Sequence, residues 1–185
     1  MKLFFVADIH GSEYFLGRSL EAFEKERADI LVLVGDLLYH GPRNPFPEGY
    51  NPARVAEILN EVREKIFAIR GNCDSDVDQM VLSFPMLNDH GSILAEGKRI
   101  FLSHGHIYSP DNLPPLKEND IFVSAHTHIP MIRKQNGVYV FNPGSISLPK
   151  GGSTHSYGLF DGEVLEVKAL DGKCVLSMVV EDIRS

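Results

Sequence analysis

Acidic and histidine side chains recur in short pairs along the sequence, each pair directly after an apolar run. Asp8 and His10 follow one such run, and His126 and His128 follow another. Residues i and i+2 of an extended backbone project to the same side, so the members of each pair can act together. Oxygen and imidazole ligands suit Mn²⁺, Fe²⁺ or Zn²⁺ better than Cu(I) or an iron–sulfur cluster. The spacing therefore predicts a site for divalent metal ions.

Three further residues with ligand-type side chains end other apolar runs, namely Asp36, Asn72 and His104. With the two pairs they form a set that is too large for one tetrahedral ion and suits two ions sharing a carboxylate. Two divalent ions outweigh the charge of two aspartates, which leaves a positive pocket in an acidic chain. Such a pocket favours a phosphate ester, and two metals that activate a shared water favour its hydrolysis.

The apolar runs themselves predict the elements that position these residues. Leu3–Ala7 and Ile30–Val34 are typical of strands buried on both faces, and a helix from Ser12 to about Glu26 separates them. Strand, helix and strand in so short a segment predict a βαβ unit with a parallel sheet. Ligands bind at the carboxyl ends of parallel strands, where the candidate residues stand.

Further along the chain, the pattern changes after Pro85. Before it we predict a proline-rich loop over 41–50, a helix that begins at Pro52, a strand at Ile66–Ile69 and a short helix at Val77–Leu82. After it we predict strands at Ile100–Ser103, Ile121–Ser124, Val138–Asn142, Tyr157–Phe160, Val164–Leu170 and Val175–Val180. The turn at Asp161-Gly162 predicts a hairpin. Early helices and late antiparallel strands predict one domain over residues 1–185, with two packed sheets flanked by helices.

The bulk composition narrows the class of protein. A formal net charge of −7 and a pI near 5.6 speak against a partner such as long nucleic acid, which needs clustered Lys and Arg. The two cysteines, Cys73 and Cys174, form no disulfide framework. The apolar start is too short for a signal-peptide core, and no run reaches transmembrane length. We therefore expect a cytoplasmic protein without a membrane partner.

Taken in order, the motifs resemble the calcineurin-like metallophosphoesterase superfamily over essentially the whole chain. They are D-x-H at Asp8–His10, G-D at Gly35-Asp36, G-N at Gly71-Asn72, H-G-H at His104–His106 and A-H-x-H at Ala125–His128. Within that superfamily, residues 40–44, 71–74 and 142–145 resemble the small bacterial YfcE-like phosphodiesterases. The resemblance implies an α/β fold, a four-layer α/β/β/α sandwich of two mixed sheets flanked by helices.

The resemblance also implies a ligand set for two metal ions. One ion would be held by Asp8, His10 and His128, the other by Asn72, His104 and His126, and Asp36 would bridge the two. The implied cofactor is Mn²⁺, with Ni²⁺, Co²⁺, Fe²⁺ or Zn²⁺ as substitutes. A metal-bridging hydroxide would attack phosphorus directly, without a phosphoenzyme intermediate.

Four more residues are candidates for catalysis or substrate binding. Cys73 stands where the superfamily usually has a histidine; a thiol is a poorer proton donor, and the alternative for Cys73 is a small packing residue. His106 could donate a proton to the leaving group or only hydrogen-bond near the site. Arg43 could contact a phosphate oxygen or be an ordinary surface arginine, and Asn44 beside it is a further candidate for substrate contact.

Our first interpretation is a metal-dependent phosphodiesterase that acts on a small or flexible phosphate diester. The cysteine at position 73 favours diesters with good leaving groups. One alternative is a phosphomonoesterase, including a protein phosphatase. Another is a non-catalytic scaffold, since a retromer coat subunit with this fold serves as a binding platform without a complete catalytic metal site. A nuclease acting on long nucleic acid is disfavoured by the acidic balance, and a homo-oligomer is compatible with the family.

Overall fold

The computed structural model describes residues 1–181. Its strands and α-helices in chain order are β1 (Leu3–Val6), α1 (Glu13–Glu26), β2 (Ile30–Leu33), α2 (Pro52–Glu61), β3 (Ile66–Ala68), α3 (Asp76–Val81), β4 (His90–Ala95), β5 (Lys98–Ser103), β6 (Ile121–Val123), β7 (Met131–Gln135), β8 (Val138–Asn142), β9 (Ser156–Phe160), β10 (Val164–Ala169) and β11 (Cys174–Val179). A single 3₁₀ turn at Arg63–Lys65 precedes β3 within this range. No helix over residues 1–181 has the length and apolar character needed to cross a membrane.

The first sheet contains six strands in the order β11-β10-β9-β1-β2-β3. β1 lies parallel to β2, with Leu3 opposite Ile30, and β2 lies parallel to β3. Because α1 connects β1 to β2, the predicted βαβ unit is confirmed. β9, β10 and β11 are antiparallel, and the predicted hairpin joins β9 to β10. In its turn, Asp161 Oδ1 accepts the backbone N–H of Val164 at 2.8 Å.

The two longer helices begin where their capping residues predict. The Ser12 hydroxyl accepts the backbone N–H of Phe15 at 3.2 Å, which satisfies one of the free donors in the first turn of α1. The α2 helix begins at Pro52, and the Asn51 side chain accepts the N–H of Arg54 at 3.3 Å. At its other end, α1 stops at Arg27, which has a left-handed backbone, and the chain passes from there into β2. Both helices therefore begin at a defined residue, which fixes the length of the loops that follow β1 and β2.

The second sheet contains five strands in the order β4-β5-β6-β8-β7. β5, β6 and β8 are parallel neighbours, so the prediction of antiparallel late strands is wrong for these three. The predicted architecture of two mixed sheets flanked by helices is confirmed. Two strands, β4 and β7, were not predicted, and both lie at sheet edges. Their half-exposed patterns, with Arg133 and Lys134 in β7, are typical of edge strands and hide the apolar signal.

Alternation along the strands divides the core into layers. In β1, Phe4 and Val6 face α1 and α2, whereas Leu3 and Phe5 face the second sheet. Facing side chains such as Phe141 of β8 complete the layer between the sheets, with the Phe5 and Phe141 rings 5.3 Å apart. This inter-sheet core holds the carboxyl ends of β1, β2, β5 and β6 in fixed relation.

The outer face of the second sheet is covered differently from that of the first. Phe101 and Phe122 form its centre, and the partly buried Tyr108, Leu113 and Leu116 pack against them. These three residues belong to the irregular segment between β5 and β6. A loop thus provides the cover over this part of the sheet, while α1 and α2 cover the first sheet.

Candidate metal centre

Candidate ligands from both sheets converge where the parallel strands end. Asp8 and Asp36 follow β1 and β2 of the first sheet, and His104 and His128 follow β5 and β6 of the second. The backbone N–H of His10 donates to the carbonyl of Asp36 at 2.9 Å, which ties the two loops of the first sheet together. Side chains from four distant parts of the sequence therefore share one buried site.

Around Asp8 three ligand-type atoms lie within a few ångströms of one another. Asp8 Oδ1 lies 3.8 Å from His10 Nε2 and 3.6 Å from His128 Nε2. The two imidazole nitrogens are 3.4 Å apart. All three side chains are buried. The spacing suits three donors directed at one ion, so Asp8, His10 and His128 stay candidates for one metal site.

Asp36 lies in the middle of this buried site, which we call the metal centre. Its Oδ2 lies 3.7 Å from His10 Nε2 on one side and 3.4 Å from His104 Nε2 on the other. Its Oδ1 accepts the backbone N–H of Cys73 at 2.8 Å. Asp36 thus reaches toward both groups of candidate ligands, which is the position a bridging carboxylate needs.

Backbone carbonyls orient the three buried imidazoles. The Nδ1 atoms of His10, His104 and His128 lie 2.8, 2.7 and 2.6 Å from the carbonyl oxygens of Tyr39, Val34 and Leu148, respectively. A carbonyl only accepts, so each Nδ1 carries the proton and donates. In the neutral ring the lone pair is then on Nε2, which faces the centre. This arrangement of outer hydrogen bonds is typical of metal-ligating histidines.

The pKa values of the buried groups indicate which kind of ligand the centre suits. Both oxygens of Asp8 are buried, and neither has a hydrogen-bond partner within residues 1–181. Burial raises the pKa of Asp8 to about 8. Burial acts to lower the pKa of His104, but its hydrogen bond and the charge of Asp36 outweigh this and raise it to about 9. Burial acts to raise the pKa of Asp36, but His104 and the Cys73 N–H bring it well below its usual range. A divalent cation would supply the charge that Asp8 needs, so the donor set fits a metal.

Five candidate ligands have backbone φ angles in the left-handed region: Asp8 (53°), His10 (48°), Asp36 (58°), His126 (67°) and His128 (60°). The predicted pairs are therefore not extended, and the i, i+2 argument is wrong for both. The side chains converge because the chain turns at each ligand. Such residues cost about 1–3 kcal/mol each and cluster at functional sites.

Two glycines of the motifs allow the loops to approach. The backbone of Gly35 lies so close to Gly71 that a Cβ on Gly35 would be 2.5 Å from the Gly71 nitrogen. A Cβ on Gly71 would overlap the Asp36 carboxylate. Gly35 also has a φ of +86°, which favours glycine. The G-D and G-N motifs therefore contain glycine because the ligand loops touch.

The remaining predicted ligands lie at the exposed side of the centre. Asn72 Oδ1 is 3.1 Å from His104 Nε2, and the His126 ring centroid is 5.2 Å from that of His104. His126 is half-buried and Asn72 is exposed. His106 is exposed too, with its ring 5.6 Å from that of His104. These residues adjoin His104, but they form a looser group than the one around Asp8.

A cavity of about 760 Å³ opens above the centre. Arg43 and Asn44, both predicted to bind substrate, line it together with Cys73. The Asn44 amide donates to the carbonyl of His40 at 2.9 Å, so it braces its own loop. Lys150 also lines the cavity and was not identified from the sequence. The cavity therefore combines the metal-type ligands with two cationic side chains, which suits an anion.

Cys73 acts on the centre mainly through its backbone. Its N–H holds Asp36, while burial and the charge of Asp36 raise the pKa of its thiol to about 12. The next residue, Asp74, is buried and was missed as a site residue. It accepts the backbone N–H groups of Asp36 and Gly71 at 2.8 and 2.7 Å. The G-N-C-D segment of the sequence was the signal that could have identified it.

Two serines after β8 were also missed. The hydroxyls of Ser145 and Ser147 donate to the carbonyl of Asp8 at 2.9 and 2.7 Å. The Asn142 amide at the start of the same segment donates to the carbonyl of Ala125, beside His126. This segment after β8 therefore holds ligand loops of both sheets.

The two-sheet sandwich, with Asp and His side chains gathered at its strand ends, defines a calcineurin-like phosphoesterase. Residues 1–164 match the calcineurin-like phosphoesterase superfamily domain, and the chain belongs to that superfamily. It is 51% identical over 179 residues to Phosphodiesterase YfcE of Escherichia coli (strain K12), covering 97% of each chain. The resemblance predicted from the motifs is therefore confirmed.

Comparison with solved structures gives the same family. The structure matches that of YfcE, a phosphoesterase from E. coli, with a TM-score of 0.96 and 50% identity, covering 98% of this chain and 100% of that chain. It also matches Vps29 from Entamoeba histolytica, solved in complex with Zn²⁺, with a TM-score of 0.64 and 20% identity, covering 98% and 100% of the two chains. At that identity the likeness to Vps29 concerns the fold alone.

Proposed function

We propose that this chain is a metal-dependent phosphodiesterase that hydrolyses a small phosphate diester at a centre of two divalent ions. The observation that carries the proposal is the buried Asp8 carboxylate. In the described part of the chain it has no hydrogen-bond partner, and it faces the inward-directed Nε2 atoms of His10 and His128. The name and the 51% identity of Phosphodiesterase YfcE support the choice of diesters.

The proposed ligand set is the one that the motifs imply. Asp8, His10 and His128 would hold one ion, Asn72, His104 and His126 the other, and Asp36 would lie between them. The contacts of Asp36 with both His10 and His104 support its bridging role. The oxygen and imidazole donors suit Mn²⁺, the ion we propose, and accommodate Ni²⁺, Co²⁺, Fe²⁺ or Zn²⁺.

Divalent ions held by these residues would supply positive charge for the phosphoryl oxygens and would make a water more acidic, so that it could attack phosphorus directly. The protein itself contributes orientation and charge. Arg43 and Lys150 line the cavity and can bind the anionic phosphoryl group. The left-handed turns at Asp8 and Asp36 hold the carboxylates in place before substrate arrives.

The leaving group receives little help from position 73. A thiol whose pKa is raised to about 12 is a poor proton donor at neutral pH. His106 is exposed beside His104 and is the proposed donor, although burial and His104 lower the pKa of its imidazole. With a weakly acidic thiol and an imidazole whose lowered pKa favours its neutral form, the site favours diesters whose leaving groups depart without a proton, in preference to phosphomonoesters of poor leaving groups.

The test compares hydrolysis of bis-p-nitrophenyl phosphate and p-nitrophenyl phosphate by chelated protein, with and without added Mn²⁺. We expect Mn²⁺-dependent cleavage, with a higher kcat/KM for the diester. His126→Ala should reduce diester cleavage by about a hundredfold or more, because it removes a proposed ligand. His90→Ala, on the exposed β4 edge, is the matched control and should retain full activity.

Two results would contradict the proposal in different ways. A higher kcat/KM for the monoester would replace the diesterase with a phosphomonoesterase. Bound Mn²⁺ without turnover of either ester would leave the centre as part of a non-catalytic scaffold.

A further inference from the structure

A second cavity, of about 520 Å³, lies between α2 and α3. Its lining is mostly apolar and aromatic and includes Leu38, Tyr39, Tyr50, Ala53, Ala56 and Val81. A concave apolar site of this size with a few polar groups is typical of small-molecule binding. None of the proposed metal ligands lines it, so it is separate from the metal centre itself.

The two cavities nevertheless share walls. Tyr39 lines both of them, and its backbone carbonyl accepts the Nδ1 proton of His10 at 2.8 Å. The first turn of α3 forms the second shared boundary. Ser75 lines the cavity above the metal centre, which we call the metal cavity, and Asp78 lines the cavity beside α2. The two residues are joined by a hydrogen bond, because the Asp78 carboxylate accepts the Ser75 N–H at 2.8 Å. A molecule that extends from the metal centre past Tyr39 would therefore enter the second cavity.

The charges around this cavity define what it accepts. Among the described residues that line it, none is Lys or Arg. Its two carboxylates are engaged: Glu57 Oε2 lies 2.8 Å from Arg54 Nη1, and Asp78 caps α3. The cavity thus offers neither cations for a further phosphate nor free carboxylates for an amine. It suits an uncharged, apolar group.

We infer that the cavity between α2 and α3 binds an uncharged aryl or alkyl substituent of the diester, the one that stays on the phosphate after hydrolysis. The inference rests on the proposed function. The two sides of the metal centre indicate how the diester is oriented. Tyr39, at the entrance to this cavity, adjoins His10, whereas His106, the proposed proton donor to the leaving group, adjoins His104. The substituent near Tyr39 is therefore the one that is retained. The substrate class is therefore a diester with one apolar substituent, rather than a nucleotide with a polyphosphate chain.

The first experiment uses two diesters with the same leaving group, phenyl p-nitrophenyl phosphate and methyl p-nitrophenyl phosphate. With Mn²⁺-loaded wild type, we expect kcat/KM to be at least tenfold higher for the phenyl diester. Ala53 is exposed in the first turn of α2, so Ala53→Trp should fold and fill the cavity. We expect this variant to lose that preference while its kcat/KM for the methyl diester stays within twofold.

Glu61→Trp is the matched control, because Glu61 is exposed on the same helix and does not line the cavity. It should keep the wild-type preference. An unchanged preference in Ala53→Trp would overturn the inference and leave the phosphodiesterase proposal intact. An equal loss on both diesters would overturn it as well, since the retained substituent would then not be the group that the cavity recognises.

A binding experiment tests the cavity independently of turnover. The full chain, supplied with Mg²⁺, is titrated with diphenyl phosphate or dimethyl phosphate while backbone amide NMR shifts are followed. Diphenyl phosphate should shift the amides of Ala53 and Val81, and dimethyl phosphate should leave them unmoved. Shifts at those amides without hydrolysis of any ester would uphold the cavity and reject the phosphodiesterase. Identical responses to both ligands would reject the cavity.

Discussion

The hydroxyl of Ser147 donates a 2.7 Å hydrogen bond to the backbone carbonyl of Asp8. Ser147 follows β8 of the second sheet, whereas Asp8 follows β1 of the first. Ser145 donates to the same carbonyl at 2.9 Å. Since Asp8 has a left-handed backbone, these hydroxyls stabilise the turn that directs its carboxylate into the centre.

We expect Ser147→Ala to weaken Mn²⁺ binding by about tenfold, because outer hydrogen bonds of this kind orient metal ligands. Isothermal titration of chelated protein with Mn²⁺ measures the change. Ser177→Ala, an exposed serine in β11, is the control and should bind Mn²⁺ as the wild type does. Equal affinities in the wild type and Ser147→Ala would show that Ser145 alone is sufficient.

Asp8→Asn should have opposite effects on stability with and without metal. The Asp8 carboxylate is buried and accepts no hydrogen bond from the residues that the structure describes, so a neutral amide should raise the Tm of the chelated protein. Mn²⁺ should then raise the Tm of the wild type by more than that of the variant, because the variant loses a ligand of one of the two proposed ions and a ligand stabilises only the state that binds it. Thermal unfolding with and without Mn²⁺ tests both effects. Asp111→Asn, at an exposed aspartate, is the control and should behave as the wild type does. A lower Tm for chelated Asp8→Asn than for chelated wild type would show that the buried Asp8 carboxylate does not destabilise the metal-free protein.

Arg43→Ala should affect binding more than chemistry. Arg43 is exposed at the rim of the metal cavity, and we propose that it binds the phosphoryl group. Loss of one charge-assisted hydrogen bond should raise KM for the diester by about tenfold, with a smaller change in kcat. Steady-state kinetics separate the two constants. Arg133→Ala, on the exposed face of β7, provides the control; a KM unchanged from wild type would make Arg43 an ordinary surface residue.

Glu26, at the end of α1, should make the free energy of unfolding depend on pH, and it is not part of the metal centre. Its Oε2 lies 2.8 Å from Lys2 Nζ, and its Oε1 lies 3.0 Å from Lys168 Nζ. Burial acts to raise the pKa of Glu26, but these two partners outweigh it and the pKa is lowered. A carboxyl with a lowered folded-state pKa stabilises the protein above its unfolded-state pKa, and this stabilisation is lost as the pH falls through the folded-state value.

Glu26→Gln should therefore reduce the free energy of unfolding at pH 7 by about 2 kcal/mol, since two charged hydrogen bonds are weakened. The difference from wild type should shrink as the pH falls below the usual range of a glutamate. Urea unfolding at several pH values measures it. Glu24→Gln removes only an exposed pair with Lys65 and should change stability little. A constant difference at every pH would attribute the effect of Glu26→Gln to packing.

The candidate ligands could be predicted from the sequence because each follows a strongly apolar strand. Asp8, Asp36 and His104 come within a few residues of strand ends, and the carboxyl ends of parallel strands meet. What could not be predicted is how the backbone presents them. The left-handed turns at His126 and His128 leave no signal in the residue types, since histidine is common in many conformations.

The supporting residues were harder to predict for a different reason. Ser147 and Asp74 act through backbone atoms of residues far away in the chain, and such contacts exist only once both sheets are packed. The edge strands β4 and β7 escaped prediction because partial exposure breaks the apolar pattern. Pairing direction in the second sheet depends on where the segment between β5 and β6 crosses, which composition does not specify.

The division of the ligands between the sheets has a consequence for unfolding. Asp8 and Asp36 belong to the first sheet, and His104 and His128 to the second. Ions held by the proposed ligands would crosslink the two halves of the sandwich, much as a disulfide would, since Asp8 and His128 would share one ion and Asp36 and His104 the other. The loaded protein should then unfold in a single cooperative transition. Chelation would remove the crosslink and allow the strand ends around the centre to open before the shared core does, which makes the cooperativity of unfolding a measure of metal occupancy.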